Sequence, residues 1–153
     1  MKKIETTDVP QANSLHRVCD LLALVGEGIE DKQDLTRQLG LVTRELDYYK
    51  HAARILGFAH FDPPDFYLTE NGKGYLAGLG SEEKHLILAS AVRAANVFKE
   101  LLSQFQEKEL DKDIVTTFLL ERTMNSLSGI GLNRTTARRR ADTMIAWLKY
   151  TRD

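Results

Sequence analysis

Apolar positions along the chain follow helical spacing for most of its length and strand spacing once. Leu15, Val18, Leu21, Leu22 and Val25 repeat near 3.6 residues, predicting a helix capped by Asn13 or Ser14 and ended by Gly26 and Gly28. Lys32 to Gly40 reads as a short second helix with Leu35 and Leu39 inward and Gly40 as its stop. After Leu41 and Val42, Thr43 caps a third helix whose apolar face is Leu46, Tyr49, Ala53 and Leu56, closed by Gly57. The pattern then changes. Phe58 to Phe61 and Phe66 to Leu68 are aromatic-rich runs on either side of Asp62-Pro63-Pro64-Asp65, which predicts a hairpin. A short helix follows over Thr69 to Leu76, ending near Gly78 to Gly80.

In the second half, Ser81-Glu82-Glu83 is a helix start, an N-cap followed by acids, and nothing from Glu82 to about Gln106 is Gly or Pro. One unbroken helix is expected there, with Ile87, Ala91, Ala94, Phe98, Leu101 and Phe105 on a broad apolar side that Leu88, Ala95 and Leu102 widen. That side packs on the chain's own core or pairs with a second copy. Asp111 caps a further helix through Ile114, Val115, Phe118 and Leu119 that extends toward Asn125, and Ser126 to Gly131 is a turn. A last helix starts at Asn133 or Thr135 and runs to about Tyr150. The expected fold is therefore mainly α with a small β-hairpin, an α+β class. It comprises a winged-helix unit at 9–80, a connecting helix at 81–110 and a second helix-turn-helix unit without a wing at 111–153.

Charge sharpens this picture. The 153 residues carry a net charge of −1, but it is unevenly spread. Residues 1–80 hold nine Lys/Arg against twelve Asp/Glu, and residues 81–132 hold six against eight. Residues 133–153 hold six against two, so the excess of positive charge lies in the last segment. Local clustering governs attraction to a polyanion more than the total does. On the last helix Ala137, Ala141, Met144, Ile145 and Leu148 form the core face, and Thr135, Arg138, Arg139, Asp142 and Lys149 lie opposite. Arg140 sits at the border on the flank of Trp147. Guanidinium groups near a helix start suit phosphates or guanine edges, and the hydroxyls of Thr135 and Thr136 with the first amides can hold a phosphate. Asp142 stands at ion-pairing distance in sequence from Arg138 and Arg139. The candidate DNA-contacting residues there are Arg134, Thr135, Thr136, Arg138, Arg139 and Arg140. A second set, Arg44, Tyr48, His51 and Arg54, lies off the apolar face of the third helix. The acidic hairpin tip, Asp62 and Asp65, is ill-suited to gripping phosphate, which keeps a protein-facing role open for the first unit.

No catalytic constellation is present. The sequence contains no phosphate-binding glycine loop and no nucleophile elbow. Pro64-Asp65 and Glu70 to Lys73 lack the spacing of a metal-dependent nuclease. His16, His51, His60 and His85 show no metal-ligand spacing, so neither a metal nor another cofactor is expected. The single cysteine, Cys19, forms no internal disulfide and sits in an apolar stretch, which favours a reducing compartment. No signal peptide or membrane span is evident, and a cytoplasmic protein is expected.

The segment Leu132 to Leu148 resembles a helix of winged-helix modules found beside bacterial restriction endonucleases and other phage-defence enzymes. The matching positions are Thr136, Ala137, Arg139, Arg140, Ala141, Thr143 and Trp147. Arg54 to Phe58, followed by Tyr67 to Gly72, resembles a strand-and-helix phrase of many winged-helix domains, including recognition regions of type IIS restriction enzymes. The resemblance implies tandem winged-helix recognition of double-stranded DNA, either as the recognition module of a restriction or defence system with a separate nuclease or other effector, or as a transcriptional regulator. Two departures from that pattern are expected: a second unit without a wing, and no nuclease domain within these 153 residues. The rival expectations are an adaptor that binds proteins without touching DNA and a regulator that dimerises through residues 82–106.

Overall fold

The computed structural model describes residues 2–152; Met1 and Asp153, the latter counted above in the basic segment, lie outside the described residues. The architecture is mainly helical with two small pairs of strands. Helices α1 (Leu15–Gly26), α2 (Lys32–Leu39) and α3 (Thr43–Ile55) precede an antiparallel hairpin of β2 (Ala59–Asp62) and β3 (Asp65–Leu68). Helix α4 (Glu70–Leu76) follows, then α5 (Ser81–Ala94), α6 (Asn96–Gln104), α7 (Lys112–Arg122) and α8 (Arg134–Tyr150). A two-residue strand β1 (Ile4–Glu5) pairs in parallel with β4 (Thr123–Met124).

Most boundaries follow from capping. Ser14 accepts the amide of Arg17, Asp31 that of Asp34, Asp111 that of Ile114 and Asn133 that of Thr136, each capping its helix. Gly40 adopts φ 68°, the left-handed value that ends α2 and turns the chain into α3. The predicted inward positions of α1 to α3 are buried, Val25 only in part.

Four expectations are corrected. The N-caps of α3 and α5 are Val42 and Gly80, so Thr43 and Ser81 are first helical residues instead. Helix α7 stops at Arg122, because Thr123 and Met124 pair with β1 rather than continue toward Asn125. The helix expected from 82 to 106 is broken at Ala95, whose ψ of 137° is extended. The reason lies in packing. Val92 and Val97 are both fully buried, yet on one continuous helix they would point about 140° apart. The break lets α6 turn Val97, Phe98 and Leu101 into the core. Most of the broad apolar stripe thus packs on the chain's own interior, and Ala94 faces solvent.

One buried cluster runs from Ile4 through α1, α3, α5, α6 and α7 to Leu148. Its C-terminal anchor is Trp147, which is fully buried, stacked on Phe98 and bonded through its indole N–H to the Ala12 carbonyl at 2.8 Å. Arg93 of α5 ties the far end: it forks onto Glu107 at 3.0 and 3.1 Å and donates to the Thr151 hydroxyl. Among the described residues, no helix is long and apolar enough to cross a membrane.

A cationic cleft between two helices

The N-terminal segment places the site. Residues 6–13 run between α3 and α8 and are fastened to both. Arg54 of α3 donates to the Asp8 carboxylate at 2.9 Å and to the Thr7 carbonyl at 2.7 Å. Arg140 of α8 donates to the carbonyls of Thr6 and Val9 at 2.6 and 3.3 Å, and Thr143 donates to the Asn13 side chain. The segment thereby holds the outer flank of α3 against the first half of α8.

Between the two helices lies a cleft of about 300 Å³, walled by Arg44 and Tyr48 of α3 and by Thr136, Arg139 and Arg140 of α8. Both stripes have helical spacing, four residues apart on α3 and three or four on α8, so each helix presents one polar edge to the other. The two candidate sets read separately from the sequence therefore meet at one place. Asp142 also lines the cleft, but its carboxylate is engaged by Lys112 of α7 at 2.9 Å rather than by the neighbouring arginines of its own helix.

The other predicted residues have different surroundings. Arg134 and Thr135 are exposed on the first turn of α8. Arg138 pairs with Asp113 of α7 at 3.1 Å. Arg54 spends its donors on Asp8, Thr7 and the Nδ1 of His51. Arg140 is half-buried with no carboxylate partner, and its Nε is buried without any hydrogen bond. Burial pushes its pKa down, and Tyr48 beside it partly offsets that. Among the described residues, Arg44, Arg134 and Arg139 pair with no carboxylate, and neither does Arg17. Arg17 was not anticipated: its guanidinium reaches the turn at Gly40, just before Arg44. Its only sequence signal is a place on the polar side of α1.

His51 lines a smaller hollow beside the cleft with Tyr48 and Arg140. Burial first, then the adjacent Arg54, pushes its pKa down; Asp47 and Asp8 oppose this, and Arg140 adds to the fall. The unfolded chain therefore takes up this proton first, near the ordinary value of about 6.5. Stability contributed by neutral His51 is complete above that pH and is lost as pH falls toward the depressed folded value. Urea midpoints measured from about pH 7.5 to about pH 5.5 should drop on acidification, and His51→Gln should flatten that drop. An unchanged slope in the variant would place the acid sensitivity elsewhere.

Among the described residues, no group of three His, Cys, Asp or Glu side chains is placed to hold a metal ion. Cys19 is a half-buried free thiol whose pKa burial raises, a packing residue rather than a nucleophile.

Fold and cleft together define a mainly helical protein with an arginine-rich interhelical cleft. Residues 17–152 match the family model described as a domain of unknown function, DUF7226, and the chain belongs to that family. No curated protein matches it, and no solved structure does.

Proposed function

We propose that this protein binds double-stranded DNA through the surface formed by the starts of α3 and α8. Helices α1 to α3 and the hairpin have the order of a winged helix, with α2 and α3 as its helix-turn-helix; α7 and α8 supply a second helix-turn-helix. One observation carries the reading: Arg44 and Arg139, from helices 95 residues apart, flank one cleft and have no carboxylate partner, while neighbouring cations are paired. Arg134 extends the unpaired charge along α8, and Arg17 extends it toward the α2–α3 turn. In a chain with more acids than bases, unpaired guanidinium groups on one side form a place for phosphates. The hairpin tip, with Asp62 and Asp65 exposed, is acidic and would repel a phosphate backbone. Whether the bound DNA is handed to an effector or serves regulation is a matter of partners, as either role uses the same surface.

The test is a fluorescence-anisotropy titration of a duplex at several salt concentrations. Arg44→Gln, Arg134→Gln and Arg139→Gln combined should weaken binding and lower the slope of log affinity against log salt by about 2.7, which is about 0.9 per lost phosphate contact. Lys149→Gln, at the other end of α8, should leave the slope unchanged. No duplex binding by the native protein at about 50 mM salt, or an unaltered slope in the triple variant, would overturn the reading. A second reading, docking of a protein partner, is favoured by the apolar groove of about 630 Å³ where Phe58, Tyr75, Ile87 and Ala91 meet. Failure of the DNA titration would leave that reading standing.

A further inference from the structure

We propose that the cleft between α3 and α8 is a phosphate-binding site in which Arg44, Arg139 and Arg140 together hold one phosphate group. The proposal deepens the DNA reading by naming what enters the cleft, and its chemistry is shared by a phosphate of a DNA backbone and the phosphate of a free nucleotide. A guanidinium taken out of water is costly unless an anion meets it. Arg140 has only two neutral carbonyls, those of Thr6 and Val9, on one of its nitrogens, and its Nε has no partner. Each of the other buried or partly buried arginines, Arg54, Arg93, Arg122 and Arg138, faces a carboxylate at 3.1 Å or less. Arg140 is the exception, and it opens on the cleft that Arg44 and Arg139 also line without carboxylate partners.

The local acid does not supply the missing charge. Asp142 lies at the same cleft but is turned to Lys112. Three forked cations around one hollow suit a tetrahedral anion whose acceptor oxygens point in several directions, which a phosphate provides as a backbone diester or as a monoester and a planar carboxylate does not. Tyr48 and Thr136 add hydroxyl donors to the same wall. At about 300 Å³ the cleft exceeds the needs of a bare phosphate and leaves room for the sugar that bears it.

Thermal unfolding of the full chain tests this, with inorganic phosphate and thymidine 5′-monophosphate as probes and potassium chloride at equal ionic strength as reference. At about ten times its dissociation constant, phosphate should raise Tm by about 4 °C beyond the chloride reference. Arg44→Gln/Arg139→Gln should abolish that increment. Both residues are exposed, so the variant keeps its fold, as its unliganded Tm reports. Arg140→Lys, which keeps the charge and removes the fork, should reduce the increment without abolishing it. Lys149→Gln should leave it intact. A shift no larger than that from chloride, or one that survives the double variant, overturns the proposal.

Competition separates the two sources. Where inorganic phosphate displaces the duplex and the double variant loses both, the phosphate belongs to DNA. Where phosphate and the nucleotide bind but the native protein ignores the duplex, the cleft serves a free phosphorylated ligand; the proposal then holds and the DNA reading fails.

Discussion

Trp147→Ala should lower the unfolding free energy by about 3–5 kcal/mol, a large part of the total for a domain of this size. The indole is fully buried, and its ring lies parallel to that of Phe98 with centroids 5.7 Å apart. Truncation opens a cavity where α8 meets α6, and it also strands the Ala12 carbonyl that accepts the indole N–H. The second effect matters because that bond joins the last helix to the segment that floors the cleft. Trp147→Phe separates the two terms: it keeps most of the volume and loses only the hydrogen bond, so its cost should be about 1–2 kcal/mol. Urea denaturation reads both. A loss below about 1 kcal/mol for the alanine variant would mean that α8 is not fastened as described.

Gly72→Ala should be nearly as damaging, against the ordinary preference of helices for alanine. A Cβ at Gly72 would stand 2.0 Å from the Phe58 carbonyl oxygen and 2.9 Å from its carbon, both backbone atoms that cannot swing aside. The approach is close because Thr69 latches α4 onto the turn before the hairpin. Its amide donates to Phe58, its hydroxyl donates to Gly57 at 2.6 Å, and that hydroxyl accepts the Gly72 amide. Separating these elements should cost about 3 kcal/mol. Gly74, two residues on in the same helix, has nothing within 4 Å of such a Cβ, so Gly74→Ala should be neutral or stabilising by up to about 1 kcal/mol. Thermal unfolding of the pair gives the comparison, and a shared direction would refute the steric account.

Features carried by local spacing were legible in the sequence. The inward stripes of α1 to α3, the hairpin around Pro63 and Pro64, and the caps at Asp111 and Asn133 depend on residues within a few positions of one another. What failed depended on distant residues. The break at Ala95 has no glycine or proline to announce it; it answers to the depth at which Val97 and Phe98 must sit. The β1–β4 pair joins two-residue strands 119 positions apart, too short to leave a pattern. The site divides in the same way. The arginines on α3 and α8 could be read as two basic edges, but their availability could not, because the partner of Arg54 is 46 residues away and those of Arg140 more than 130. Ion pairing across the fold, rather than residue type, separates Arg139 from Arg138.

The stitching of the N-terminal segment to α8 has a consequence in time. Contacts from Thr6, Val9, Ala12 and Asn13 to α8 close loops of 130 residues and more, whereas α1 to α4 pack largely on near neighbours. Closing such loops is paid in chain entropy before any contact repays it, so these bonds form late. During synthesis, the helices of the first half can assemble while their N-terminal strap waits for a partner made about 130 residues later. The cleft, whose walls are α3 and α8, is then absent until α8 has been made and has docked. A phosphate that settles there would act as a clasp, favouring the chain with α8 docked over forms in which it is not.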